Sequence, residues 1–342
     1  MPDRTTRIQA FLENNGWHLA DRTPLADDAS ARRYYRLSNS ARRAILMDAP
    51  PGEMSVVPFL QVARHLVWLG FSAPEIYAAD ETGGLVILED FGDDTYNRLL
   101  QSDPDCEAEL YTLAVDVLST LHRFSETKVI LPGAPDHSGD ILRDGVSQFV
   151  LHYLPQVTGQ PLPAPLSEEF HALWAAALKP VFEQPKTLVL RDFHVDNLIR
   201  LDDREGVRRC GLLDFQDAAI GAGAYDLMSL LEDARRDVDE NIADDMRERY
   251  FQAMNMAGPE RDTFDAAYAI LGAQRHTRVI GVFTRLCVRD AKPAYLVHIP
   301  RVWKMLERSL RHPALTDLKI WFDNHIPQQK RGIPPRLADQ KK

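Results

Sequence analysis

Apolar and polar positions along the chain change period several times, and each change marks an element. Near the start, Ile8, Phe11 and Leu12 recur at helical spacing before Gly16, which predicts a short amphipathic helix within residues 1–16. Short segments at 17–20, 33–37 and 44–47 predict strands, separated by the turn 25–31 and by Ser38-Asn39-Ser40. Val56, Phe59, Leu60, Ala63, Leu66 and Val67 return to helical spacing, and Gly70 closes that helix with Pro74 beyond it. Strands are expected again at 76–78 and 85–88, the second running into Glu89-Asp90-Phe91-Gly92. The opening segment therefore reads as a small antiparallel sheet plus one helix.

After Gly92 the period is mostly that of helices, expected at 104–123, 140–154, 166–180, 224–235, 238–256, 260–287 and 298–310. Prolines punctuate the loops 125–139 and 155–165, and one strand-like stretch, 186–214, interrupts the helices. Residues 327–342 are polar and proline-containing and read as a loosely held tail.

Length and composition narrow the class. The chain has 342 residues, 45% hydrophobic and 26% charged, an ordinary globular balance. At roughly 100–200 residues per domain this suggests two domains, or two lobes around a cleft. Cys106, Cys210 and Cys287 are too far apart for a zinc pair or a disulfide framework. The net charge of −10 argues against a bulk nucleic-acid binder. Apolar runs fall well short of the roughly 20 residues of a membrane span, and the charged opening residues lack the apolar core of a secretory signal. The reading is a cytoplasmic protein with free thiols, no membrane segment and no obligate protein partner. Only nine of the 40 basic residues are lysine, and the first is Lys128, so any cation needed before it is Arg or His.

The chemistry concentrates in 188–217. An apolar strand at 188–190 runs into a turn holding Asp192. A second strand at 198–201, the turn-rich loop 202–206 and a returning strand at 207–213 form a hairpin. Asn197 enters one arm and Asp214 leaves the other, so both sit at the open end, with Asp192 five residues upstream of Asn197. Three oxygen-bearing side chains converge there. A carboxylate and an amide, completed by phosphate oxygens, suit Mg²⁺. A further acid can orient or deprotonate a hydroxyl, which is the protein-kinase arrangement.

These residues resemble the aminoglycoside phosphotransferase / choline kinase-like family. Asp192-Phe193-His194-Val195-Asp196-Asn197 is similar to its D-x-H-x-x-N catalytic loop, Leu213-Asp214-Phe215-Gln216-Asp217-Ala218 to its metal-binding motif, and Gly221-Ala222-Gly223-Ala224-Tyr225-Asp226-Leu227 to the stretch that follows. Met47-Asp48-Ala49-Pro50-Pro51, Leu88-Glu89-Asp90-Phe91-Gly92, Gln274-Arg275-His276, Arg285, Arg289-Asp290 and Tyr295 point to its N-acetylmuramate/N-acetylglucosamine anomeric kinase branch, over roughly residues 8–325. The resemblance implies an α+β, two-lobed protein-kinase-like fold: a small antiparallel-sheet N-lobe (1–88), a hinge (89–95) and a larger, mostly helical C-lobe (96–326). It implies ATP and Mg²⁺ as cofactors and a small sugar as substrate, phosphorylated on its anomeric hydroxyl in cell-wall recycling. Asp192 would accept the acceptor's proton, and Asn197 and Asp214 would hold the metal. Leu88, Glu89, Asp90 and Phe91 would meet the adenine, with Met47 on the strand nearby. Asp226 would support the catalytic loop.

The chain departs from the family where many relatives carry a lysine on the third strand, since that strand reads Ala44-Ile45-Leu46-Met47. Ser30 with Arg32 and Arg33, or Arg43, is expected to meet the phosphates instead. The turn before them has no glycine, and Leu190 stands where relatives often place His. His194, Asp217 and Arg275 are expected near the substrate, and Arg275, Arg285 and Arg289 share a broad helical face suited to a carboxylate on an acidic sugar. Each of these also has a structural reading, as a loop brace, a cap or an ion pair. Rival readings are a kinase for another small alcohol or an aminoglycoside, and a kinase-fold binding protein without activity. A P-loop NTPase is excluded, because no G-x-x-x-x-G-K-[ST] occurs.

Overall fold

Tyr35 and Leu37 stand two residues apart on one strand, and Ala44 and Leu46 on the next; the two-residue period of a strand places each pair on one face. In the computed structural model, which describes residues 3–25, 32–52, 54–137 and 139–340, this face carries the first core. The chain divides into two compact units. The first takes Met1–Leu121, Leu131–Ala134 and Asp192–Ala218; the second takes His122–Ile130, Pro135–Arg191 and Ala219–Lys342.

The first unit holds a five-stranded antiparallel sheet of order β1-β2-β3-β5-β4, from β1 (Asp21–Pro24), β2 (Arg33–Ser38), β3 (Arg43–Asp48), β4 (Ile76–Asp80) and β5 (Leu85–Leu88). Leu37 pairs with Ala44, and Leu46 with Ile87. These side chains pack with Ile8 and Leu12 of α1 (Arg4–Asn14) and with Trp17. The strand expected at 17–20 is instead a turn, closed by Ala20 N–H donating to Trp17 O, and the strand begins at Asp21. Its four residues are exposed and unpatterned, so backbone pairing with β2 makes them a strand, and hydropathy does not reveal it.

Helix α2 (Val57–Trp68) ends where Gly70 takes φ 94°, which lets Phe71 N–H reach back to Leu66 O. Helix α3 (Tyr96–Ser102) is unexpected and is capped by Thr95, whose hydroxyl accepts from Arg98 N–H; α4 (Glu107–His122) follows. The hairpin β7 (Leu198–Arg200) and β8 (Cys210–Leu212) belongs to this unit too, with bridges from Ile199 to Thr95 and from Gly211 to Ser72. Its returning arm is shorter than expected because 206–209 form a 3-10 turn. Gly211 is required here: a Cβ would lie 2.9 Å from the Phe91 ring.

The second unit is mostly helical: α5 (Glu126–Val129), α6 (Gly139–Gln148), α7 (Leu154–Thr158), α8 (Ala164–Ala177), α9 (Lys179–Phe182), α10 (Ala224–Leu231), α11 (Glu240–Met254), α12 (Pro259–Val288), α13 (Ile299–Ser309) and α14 (Thr316–His325). Phe149, Phe170, Trp174, Trp303 and Phe322 form an aromatic core in edge and stacked contacts. The helix expected over 140–154 is broken into α6, a π turn at Phe149–Tyr153 and α7. Strand β6 (Lys186–Val189) pairs with β9 (Ala219–Ala222), a strand hidden in an Ala/Gly-rich stretch. Part of the expected loose tail is anchored. Arg331 pairs with Glu307 at 3.0 Å and Asp323 at 2.6 Å, and the Tyr153 hydroxyl lies 2.8 Å from Gly332 O. Among the described residues, no helix is long and apolar enough to cross a membrane.

Candidate active site

The loop that carries Asp192 leaves β6 through a clamp in the second unit. Asp226, in the first turn of α10 and fully buried, accepts Leu190 N–H at 2.6 Å and Arg191 N–H at 2.8 Å. Arg191 takes φ 69°, a conformation that costs a non-glycine residue free energy and has to be held by its surroundings. Arg191 O in turn accepts from Arg275 at 3.1 Å and from the Ser229 hydroxyl at 3.4 Å. Arg275 also donates to the Tyr225 hydroxyl at 3.0 Å. Buried at 7% exposure, Arg275 thus fixes the peptide preceding Asp192.

The rest of the loop lies in the first unit. Asn197 Nδ2 donates to Asp192 O at 2.9 Å and lies 3.5 Å from Asp214 Oδ2. Leu213 N–H donates to Asn197 O at 3.0 Å, so Asp214 stands one residue past the position facing Asn197. Asp214 takes φ 55°, and its Oδ1 accepts from Gln216 Nε2 at 2.7 Å. The buried His194 has Nε2 3.4 Å from Asn197 Nδ2 and Nδ1 3.9 Å from Asp196 Oδ2, and Asp196 is held by Asn97 at 2.6 Å. It stands between two loop residues, in the manner of a brace.

A cavity of about 260 Å³ in this unit brings Leu88, Glu89, Asp90, Phe91, Asn197 and Asp214 together. Ile45, Phe59, Ile199 and Leu213 give it apolar walls. Tyr34 and Arg36 also line it and were missed from the sequence, although their i, i+2 spacing on β2 puts them on one face. Arg36 lies 2.9 Å from both Asp90 and Asp93; the Asp93 bond leads in raising its pKa, and Arg36 holds the Asp93 carboxyl below its usual value. Burial pushes the Glu89 carboxyl up, against a backbone hydrogen bond from Glu75 and the nearby Arg204.

Other expected residues fall elsewhere. Arg32 is buried at 4% exposure, Arg33 is exposed, Met47 is fully buried on the face of Ile45, and none of the three lines the cavity. Arg43 is exposed and lies 3.8 Å from Asp90. Asp192, His194 and the exposed Asp217 belong to the same unit but not to the cavity lining. Arg275 belongs to the second unit. Ser30 lies outside the described residues.

A profile of the phosphotransferase enzyme family matches residues 21–264. The chain belongs to this phosphotransferase family. A relative from Caulobacter vibrioides named N-acetylmuramate/N-acetylglucosamine kinase is 34% identical, over 96% of this chain and 98% of the relative. One of the same name from Pseudomonas aeruginosa is 33% identical over 87% of each chain. Among solved structures, a choline/ethanolamine kinase family protein from Mesorhizobium loti shares the fold at 15% identity and a TM-score of 0.60, covering 93% of this chain and 99% of that one. The two-lobed, kinase-like α+β fold follows for this phosphotransferase.

Proposed function

We propose that this phosphotransferase is an ATP- and Mg²⁺-dependent kinase that phosphorylates the anomeric hydroxyl of N-acetylmuramic acid or N-acetylglucosamine, in cell-wall recycling. The observation that carries the reading is one apolar-walled cavity holding both the segment 88–91 and the pair Asn197 and Asp214. The names of the relatives supply the sugar.

The donor set fits a hard cation. Asn197 spends its Nδ2 on Asp192 O, so its amide oxygen is available, and the Asp214 carboxylate lies beside it. One amide and one carboxylate are what Mg²⁺ takes from protein when phosphate oxygens complete its shell. Among the described residues no group of three or more His, Cys, Asp or Glu could hold a metal, which accords with a site shared with nucleotide. Bound there, the ion would neutralise charge on the transferred phosphoryl group. Gln216 orients the Asp214 carboxylate, and the apolar side chains of Ile45, Phe59 and Leu88 with the backbone of 88–91 would receive the adenine. Asp192 orients the acceptor hydroxyl and takes its proton. Asp226 and Arg275 fix the peptide that aims it.

The test uses purified protein with MgATP and each sugar, reading ADP release and the position of the new phosphate by phosphorus NMR. An anomeric sugar phosphate is expected, with turnover lost on chelation by EDTA. ATP at 100 times its Kd should stabilise the fold by about 2.7 kcal/mol, and most of that thermal shift should vanish with EDTA. Turnover unaffected by EDTA, or phosphate on another carbon, overturns the reading.

A further inference from the structure

The second unit contains another cavity, of about 230 Å³. Arg191, Arg278 and Arg285 line it, against Asp144 as the one acid among its described lining residues. Arg278 and Arg285 are seven residues apart, two turns of α12, and so project from the same face. Arg278 makes no hydrogen bond or ion pair with a described residue. Arg285 has a neutral partner, Gln148 Oε1 at 3.0 Å. Gly145 leaves the space open: a Cβ there would lie 3.1 Å from Arg278 Cδ and 2.7 Å from Gln274 Nε2. The local field is positive. Burial, then Arg289, lowers the Arg285 pKa against the opposing pull of Asp290, with a smaller contribution from Arg278, and burial with Arg285 and Arg289 lowers that of His152. Three arginines facing one acid leave the lining net positive, which favours an oxyanion that guanidinium groups bind by paired, charge-assisted hydrogen bonds.

We propose that this cavity is a carboxylate subsite, in which Arg278 and Arg285 hold the acid group of an acidic sugar and give the enzyme a preference for anionic over neutral acceptors. Arg191 ties it to the chemistry, since it lines the cavity and is the residue before Asp192. The identity of the sugar rests on the function proposed above; the oxyanion chemistry does not. Arg275, which the sequence pattern offered for this task, is committed to Arg191 O and Tyr225.

The experiment measures binding to the full chain by calorimetry without nucleotide. The probes are N-acetylmuramic acid, N-acetylglucosamine and inorganic phosphate, and the proteins are wild type, Arg278→Gln, Arg285→Gln and Arg278→Lys. Wild type should bind the acidic sugar roughly tenfold or more tighter than the neutral one. Arg278→Gln should erase most of that ratio and leave the neutral sugar's affinity unchanged, and Arg278→Lys should keep part of it. Equal affinities in wild type, or a preference that survives both Gln variants, overturn the proposal. Binding of inorganic phosphate that is lost in the Gln variants while the acid preference stays assigns the arginines to a phosphate and also overturns it. An arginine-dependent preference in a protein that phosphorylates neither sugar upholds the subsite and sinks the kinase reading instead.

Discussion

Two residues of the candidate active site sit in backbone conformations that L-amino acids avoid, Arg191 at φ 69° and Asp214 at φ 55°. Such positions cost on the order of 1–3 kcal/mol each and persist only when their surroundings over-determine them. Here Asp226 fixes the amide of Arg191, while Arg275 and Ser229 fix its carbonyl. Asn197 and Gln216 hold the Asp214 carboxylate. For Asp192→Asn, kcat should fall about 10²–10⁴-fold, the usual weight of a positioned base, with the ATP-dependent thermal shift unchanged. A drop of less than threefold would remove Asp192 from proton transfer. The spacing of Asp192, Asn197 and Asp214 was legible because a short hairpin fixes its own open end. Arg36 was not, because its partners Asp90 and Asp93 lie 54 and 57 residues away.

At the scale of elements, the misplacements share a cause. β1 and β9 are strands only because a neighbour supplies hydrogen bonds: β2 to an exposed segment, β6 to an Ala/Gly stretch. Neither carries the alternation that hydropathy detects. The π turn at Phe149–Tyr153 likewise has no local signature, and its start lies close against Gly281 of α12. A Cβ on Gly281 of α12 would lie 2.3 Å from Gln148 C and 2.4 Å from Phe149 N. Backbone atoms cannot swing aside as a side chain can. Gly281→Ala should therefore destabilise by about 1–3 kcal/mol, the range for overpacking, read as a lower urea midpoint at constant m. An unchanged midpoint would show that α12 shifts freely here.

For the molecule as a whole, burial of ionisable groups sets how stability depends on pH. His276 is 1% exposed, and burial, then Arg275 and Arg308, lower its pKa from the usual 6.5 to about 3. The unfolded chain then binds a proton between those values that the folded chain refuses. This part of the stability is complete above pH 6.5 and falls as the pH drops toward 3. Glu232, 3.3 Å from His276, is pushed up by burial against the pull of Arg308, and so acts in the opposite sense as pH rises above its usual 4.5. Between pH 6.5 and 5 the urea midpoint of the wild type should fall more steeply than that of His276→Gln. Parallel profiles would mean that His276 takes up its proton in the folded state.

The sequence by itself determined the family, the fold class, most helices and the nearness of Asn197 to Asp214. Family and fold class rest on the resemblance of short contiguous motifs, the helices on local periodicity, and the Asn197–Asp214 pair on spacing within one hairpin. Only the tertiary structure decided which arginines face a cavity, that Arg275 serves the peptide before Asp192, and that β6 finds its partner at 219–222. Each depends on groups brought together by burial and backbone pairing between distant segments, and the pattern of one segment carries no trace of the segment it meets.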